Sequence, residues 1–88
     1  MAPREDRYEL VTRAGCHLCG EMAKALDAVL PRFGLAYTFV DVDADPALRA
    51  RFGDVVPVLL RDGRPVAKVR VGERELERIA RRRAVDPP

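Results

Sequence analysis

Cys16 and Cys19 stand three positions apart in the stretch RAGCHLCGEMAKAL, with His17 directly after the first of them. On a helix that spacing puts two side chains on one face about a turn apart, so their sulfurs can meet. Three uses fit such a pair: a dithiol that cycles through a disulfide, half of a metal site, or two small side chains buried in a core, where free cysteine is often found. A purely structural bridge is the weakest use, because closing so short a loop removes little entropy from the unfolded chain. Zinc takes four ligands, and the chain offers two cysteines and one histidine. A metal would need further ligands from a second molecule or a small thiol, and none is expected on this chain alone.

The elements that must position the pair can be read from the flanking residues. Arg7 to Thr12 alternates polar residues with Tyr8, Leu10 and Thr12 and reads as a first strand, followed by a short loop. From Cys16 onward, Leu18, Met22, Ala25, Leu26 and Val29 recur at helical spacing, with Glu21, Lys24 and Asp27 on the other face and Pro31 and Gly34 ending the helix. Ala36 to Val42 is rich in β-branched and aromatic residues and reads as a second strand, parallel to the first across the helical crossover. Asp45 as N-cap, Pro46 at the first position and Gly53 as a stop delimit a short second helix. The stretches VVPVLL and RPVAKVRV flank Asp62-Gly63, a strong hairpin signal, and give antiparallel strands three and four. GERELERIARRRA closes the chain as a third helix burying Leu76, Ile79 and Ala80, with the last four residues, VDPP, frayed. The order is βαβαββα, an α/β fold.

Placed at the start of the first helix, the two thiols are not equivalent. Cys16 sits where unpaired backbone N–H groups and the helix dipole favour negative charge, and thiols in such positions have pKa values of roughly 3.5–7.5 against ~8.5 for a free cysteine. Cys16 is therefore the nucleophile. Cys19 lies one turn deeper on the same face and is the resolving thiol. His17, as an imidazolium beside Cys16, would lower the thiol pKa further; as an exposed second residue of the helix it would do little.

Composition bounds the rest. At 88 residues the chain makes one domain, spanning 1–88, and its 48% apolar and 34% charged residues are those of a globular protein rather than a disordered segment. The opening MAPREDRYEL is charged where a secretory signal would be apolar, and no apolar run approaches the ~20 residues of a membrane span. A cytoplasmic protein with no membrane partner is expected, and in a reducing cytosol thiols are seldom paired for structure alone. A net charge of +2 is too small to imply nucleic acid by itself. Arg78, Arg81, Arg82 and Arg83 follow Glu73, Glu75 and Glu77 along one helix, which complements its dipole, and no aromatics are interleaved for base stacking. No nucleic acid partner is expected, and the protein is expected to be a monomer.

With CHLC after the first strand and VVPV leading the third, nearly the whole chain resembles the glutaredoxin-like proteins of the thioredoxin fold, in particular small members with a CHLC-type site. The resemblance implies a four-stranded mixed sheet flanked by three helices. It implies a cis peptide before Pro57, with Pro57 against the cysteines and the Val56 backbone turned toward an incoming peptide or glutathione, which could then pair briefly as an added strand. It places Arg13 where glutaredoxins carry a lysine that meets a glutathione carboxylate, and an arginine could fill that role bidentately. Gly72 would open a helix N-terminus to a carboxylate.

Departures from the family pattern lie at its glutathione contacts. Between the cysteines, His17 and Leu18 replace proline and tyrosine; before the last helix, VGERE replaces a double glycine and an acidic pair. The reading is a thiol–disulfide oxidoreductase acting on protein disulfides or glutathione mixed disulfides, with no resident cofactor and glutathione at most a weakly bound co-substrate. The alternative is a metal or iron–sulfur carrier using the same thiols. Copper carriers also place Cys-x-x-Cys after a first strand, but in βαββαβ order.

Overall fold

Leu10 and Val11 are neighbours in sequence, point to opposite sides of one strand and are both fully buried, so that strand has to be covered on both faces. The computed structural model, which describes residues 7–82, meets this demand with a central strand and helices on either side. The elements are β1 (Tyr8–Thr12), α1 (His17–Val29), β2 (Tyr37–Asp41), α2 (Pro46–Phe52), β3 (Val58–Arg61), β4 (Arg64–Lys68) and α3 (Glu73–Arg81). They form one mixed sheet in the order β2-β1-β3-β4. β1 runs parallel to β2 and antiparallel to β3, which pairs antiparallel with β4. The βαβαββα order read from the sequence is the order found.

Each face of the sheet has its own core. Leu10 and Leu59, opposite each other on β1 and β3, pack with Met22, Leu26 and Val29 of α1 and Leu76 and Ala80 of α3. On the other face Val11, Val58 and Leu60 meet Val42 and Phe52. Both clusters need their side chains, since truncating a buried leucine to alanine in such a core costs about 2–5 kcal/mol.

Local chemistry explains most boundaries. Asp45 caps α2 through its carboxylate on the Ala47 N–H (2.8 Å), and Pro46 occupies the first turn. Asp62 and Gly63 both have positive φ, 52° and 85°, as a two-residue turn matched to strand twist requires. Tyr37 joins β2 to α1 by donating to Asp27 Oδ1 at 3.0 Å, and burial followed by that carboxylate pushes its phenol up to about 12.

The differences from the sequence reading are local. α1 ends at Val29, and Pro31 lies within a 3-10 turn, Leu30–Phe33, which Gly34 terminates in the left-handed region. A second 3-10 turn, Val42–Ala44, begins where β2 was expected to finish. Val55 and Val56 precede β3 rather than belonging to it, and β4 stops at Lys68 instead of reaching Val71. Ile79 is half-buried against the core rather than within it, and its carbonyl accepts from Arg61 Nη1 at 2.8 Å. The expected fraying of Val85–Pro88, and the Arg83 and Ala84 end of the third helix, lie outside the described residues. Among the described residues no helix is long and apolar enough to cross a membrane.

Candidate functional site

The loop between β1 and α1 turns sharply because Gly15 occupies the left-handed region at φ 78°, open to glycine at no steric cost. The Cys16 N–H closes this turn on the Arg13 carbonyl at 3.2 Å. Cys16 then serves as the N-cap of α1, with extended backbone (φ −84°, ψ 111°) and its Sγ accepting the Cys19 N–H at 3.1 Å. Its sulfur therefore occupies the place a serine or aspartate oxygen usually takes, facing an amide that has no partner within the helix. A thiolate there gains a hydrogen bond and the favourable end of the dipole.

Cys16 and Cys19 are joined as a disulfide, their Cα atoms 5.2 Å apart. Cys16 is half-buried at the helix start, whereas Cys19 is 5% exposed beneath it. Of the two, Cys16 is the more exposed.

The other residues singled out from the sequence fall into three places. His17 projects from the helix with its side chain 86% exposed, and its Nε2 lies 3.5 Å from Glu21 Oε1. Gly72 is the N-cap of α3 with no side-chain cap of its own. Both line a groove of about 420 Å³, completed by Leu18, Glu21, Met22, Val69, Arg70 and Val71. Pro57 is fully buried, the Val56–Pro57 peptide is cis, and the Pro57 carbonyl accepts the Val69 N–H at 2.7 Å. Val56 lies outside the β1–β3 ladder and packs on the Val11, Val42 and Phe52 cluster.

Arg13 belongs to a different cluster. Its Nε and Nη2 donate to the two carboxylate oxygens of Asp43, at 2.9 and 3.0 Å, and Nη1 donates to the Gly53 carbonyl at 2.9 Å. The guanidinium thus ties the dithiol loop to the turn after β2 and to the end of α2. This hydrogen-bonded pairing holds the Asp43 carboxyl below its ordinary range and raises Arg13 further above its own. A substrate carboxylate reaching Arg13 would have to share it with Asp43 or displace it.

Two residues of the site carried no sequence signal. Asp43 is legible as Arg13's partner only once the turn after β2 is brought beside the dithiol loop. Val69 is the other. It has φ 67°, a region in which a β-branched side chain is a genuine outlier. The Arg70 N–H donates to the Lys68 carbonyl at 2.7 Å, closing a γ-turn around Val69 in its rarer, strained form. Such a conformation costs on the order of 1–3 kcal/mol and persists only where the surroundings impose it; here the bond from the Val69 N–H to Pro57 does so. Among the described residues no group of three or more His, Cys, Asp and Glu side chains is placed to hold a metal ion.

Comparison with known proteins agrees with this geometry. The family model described as Glutaredoxin-like domain (DUF836) matches residues 7–79. The uncharacterized protein Rv0508 of Mycobacterium tuberculosis is 41% identical over 88 residues, covering 93% of this chain and 91% of its own. Among solved structures, the X-ray structure of target protein XcR50 from X. campestris superposes with a TM-score of 0.67 at 32% identity, over 82% of this chain and 92% of that one. The buckwheat glutaredoxin–glutathione complex superposes with a TM-score of 0.51 at 18% identity, over 73% of this chain and 62% of that one, which speaks to the shared fold alone. A dithiol opening α1 of a four-stranded mixed sheet and a family match across most of the chain lead to one conclusion: the chain belongs to the glutaredoxin-like (DUF836) domain family.

Proposed function

We propose that this protein is a thiol–disulfide oxidoreductase in which Cys16 is the nucleophile and Cys19 the resolving thiol. The observation that carries the reading is the asymmetry of the pair: Cys16 caps the helix with its sulfur on a backbone N–H, while Cys19 is buried a turn below. In the reduced protein the Cys16 thiolate attacks one sulfur of a substrate disulfide. The substrate S–S bond breaks, one substrate thiolate leaves and takes up a proton, and a mixed disulfide remains on Cys16. Cys19 then loses its proton, attacks the Cys16 sulfur and releases the second substrate thiol. One substrate disulfide becomes two thiols, and the protein's two thiols become one disulfide.

Protein disulfides are the better substrates in this reading. Glutathione would find on this chain neither the tyrosine between the cysteines nor the acidic pair before the last helix, and Arg13 is already held by Asp43. A hydrogen bond to a charged group is worth about 1.5–3 kcal/mol, so two such losses weaken glutathione binding by roughly two to four decades. Gly72 would border the substrate groove, the Val56 backbone would pair with the substrate chain, and His17, exposed and facing Glu21, would have little part in the exchange. A cytoplasmic setting, with a cellular reductant to recycle the dithiol, completes the proposal.

Serine variants test the roles. Cys16→Ser should abolish exchange, whereas Cys19→Ser should retain the first step and accumulate a mixed disulfide detectable by intact-mass spectrometry. A metal or an iron–sulfur chromophore bound stoichiometrically by the freshly purified reduced protein, together with no disulfide exchange, would favour the carrier reading instead.

A further inference from the structure

Val69 stands in a backbone region where glycine would make the same turn without steric cost. What valine adds is an isopropyl group, and the question is where that group is used. Its neighbours Val66, Ala67 and Val71 pack against the core beneath α1 and α3; Val69 is not among the residues packed on either core cluster. Val69 is half-buried and lines the same groove as His17 and Leu18, the two residues between Cys16 and Cys19. The backbone is fixed there from two sides, by the Val69 N–H on the Pro57 carbonyl and by the Arg70 N–H on the Lys68 carbonyl, both at 2.7 Å. Strained residues held in this way cluster at functional sites, and this one lines a groove that reaches the CHLC motif at His17 and Leu18.

We propose that Val69 is a specificity-determining residue: held by this turn, it forms with Leu18 and Val71 an apolar subsite for a hydrophobic side chain flanking the cysteine of a protein substrate, and disfavours glutathione. This rests on the thiol-exchange reading above and names the substrate class of that site. The chemistry follows from the lining. Leu18, Val69 and Val71, each half-buried, offer apolar surface above the buried Met22, with His17, Glu21 and Arg70 as the polar members. A leucine or phenylalanine side chain gains by leaving water for such a surface, while glutathione, whose cysteine is flanked by a γ-glutamyl group and a glycine, has no apolar side chain to place there.

The test uses the full chain in its oxidised form and two reductants with matched thiol pKa: glutathione, and a blocked tripeptide with leucine on either side of cysteine. In either case the incoming thiolate attacks Cys16, the Cys16–Cys19 bond breaks, and Cys19 leaves as a thiolate that takes up a proton. A second molecule of the same thiol then releases Cys16 as a thiol and leaves as the reductant's disulfide. The readout is the ratio of the two second-order rates, with the melting temperature of each variant as a control. Wild type should favour the leucine peptide by about tenfold or more, the discrimination that one or two methyl groups support. Val69→Gly and Val69→Ala should each lower the ratio by about fivefold or more through the peptide rate, with Val69→Gly no less thermostable than wild type. Fast exchange with both thiols at a ratio near one, or a ratio unchanged in both variants, would overturn the role of Val69 and leave the oxidoreductase reading standing. Exchange with both thiols no faster than that of an unstructured peptide carrying the CHLC motif would overturn the oxidoreductase reading, and this inference with it.

Discussion

Two loops meet the first turn of α1, and both turn through the left-handed region of backbone space. In the β1–α1 loop the residue is Gly15, at φ 78°; in the loop after β4 it is Val69, at φ 67°. The first turn is relaxed: nothing lies within 4 Å of where a Cβ would stand on Gly15, so conformation alone calls for glycine there. The second is strained, and its side chain faces a groove rather than a core. The difference separates a loop that has only to deliver Cys16 to a helix start from one that has to hold a particular side chain beside it.

Exchanging residue types breaks the comparison from either side. Gly15→Val should be the more damaging, because a β-branched residue in the left-handed region costs on the order of 1–3 kcal/mol and gains no contact in this open loop. For a domain of this size that lowers the melting temperature by roughly 4–8 °C per kcal/mol, measurable by calorimetry. Val69→Gly should move the other way. Relief of the strain exceeds the extra freedom glycine brings to the unfolded chain, for a net gain of about 0.5–2 kcal/mol. A melting temperature that falls in Val69→Gly would show that the valine side chain is needed for packing after all.

The guanidinium clamp sharpens the account of the first loop. Because Arg13 holds the Asp43 carboxyl below its unfolded value, the pair contributes stability that is present above the ordinary aspartate range and lost as pH falls through the folded-state pKa. The difference in melting temperature between wild type and Asp43→Asn should therefore be largest near neutral pH and close as pH drops below about 4. A difference that persists unchanged into strong acid would mean the carboxylate charge is not what holds the loop. The smallest effect is expected at His17, whose exposed ring faces Glu21. His17→Ala should alter stability by no more than about 0.5 kcal/mol in chemical denaturation.

How much of this was legible in the sequence follows from which forces are local. Apolar spacing along α1, the Asp45-Pro46 start of α2 and the Asp62-Gly63 turn are settled by residues a few positions apart, and each stands where it was read. The end of β4 was not legible, since Val69 prefers a strand on its own account and leaves it only because Pro57 and Lys68 hold its backbone from either side. The start of β3 was misplaced for a related reason. Val55 and Val56 look like strand residues but precede Pro57, which has no N–H to give a ladder. Within the candidate site, the placement of Cys16 at the helix start and of Cys19 a turn below it was legible from helical spacing alone. The partner of Arg13 was not, because Asp43 reaches it only through the parallel β1–β2 crossover.

The central claim is that Cys16, and not Cys19, presents the reactive thiolate, and the most direct measurement is the rate of alkylation of each cysteine in the reduced protein across pH, resolved by peptide mass spectrometry. The account predicts that Cys16 is modified first, with a rate that titrates below the ~8.5 of an ordinary thiol, while Cys19 lags at every pH near neutrality. Faster modification of Cys19, or two cysteines titrating together as ordinary thiols, would contradict it.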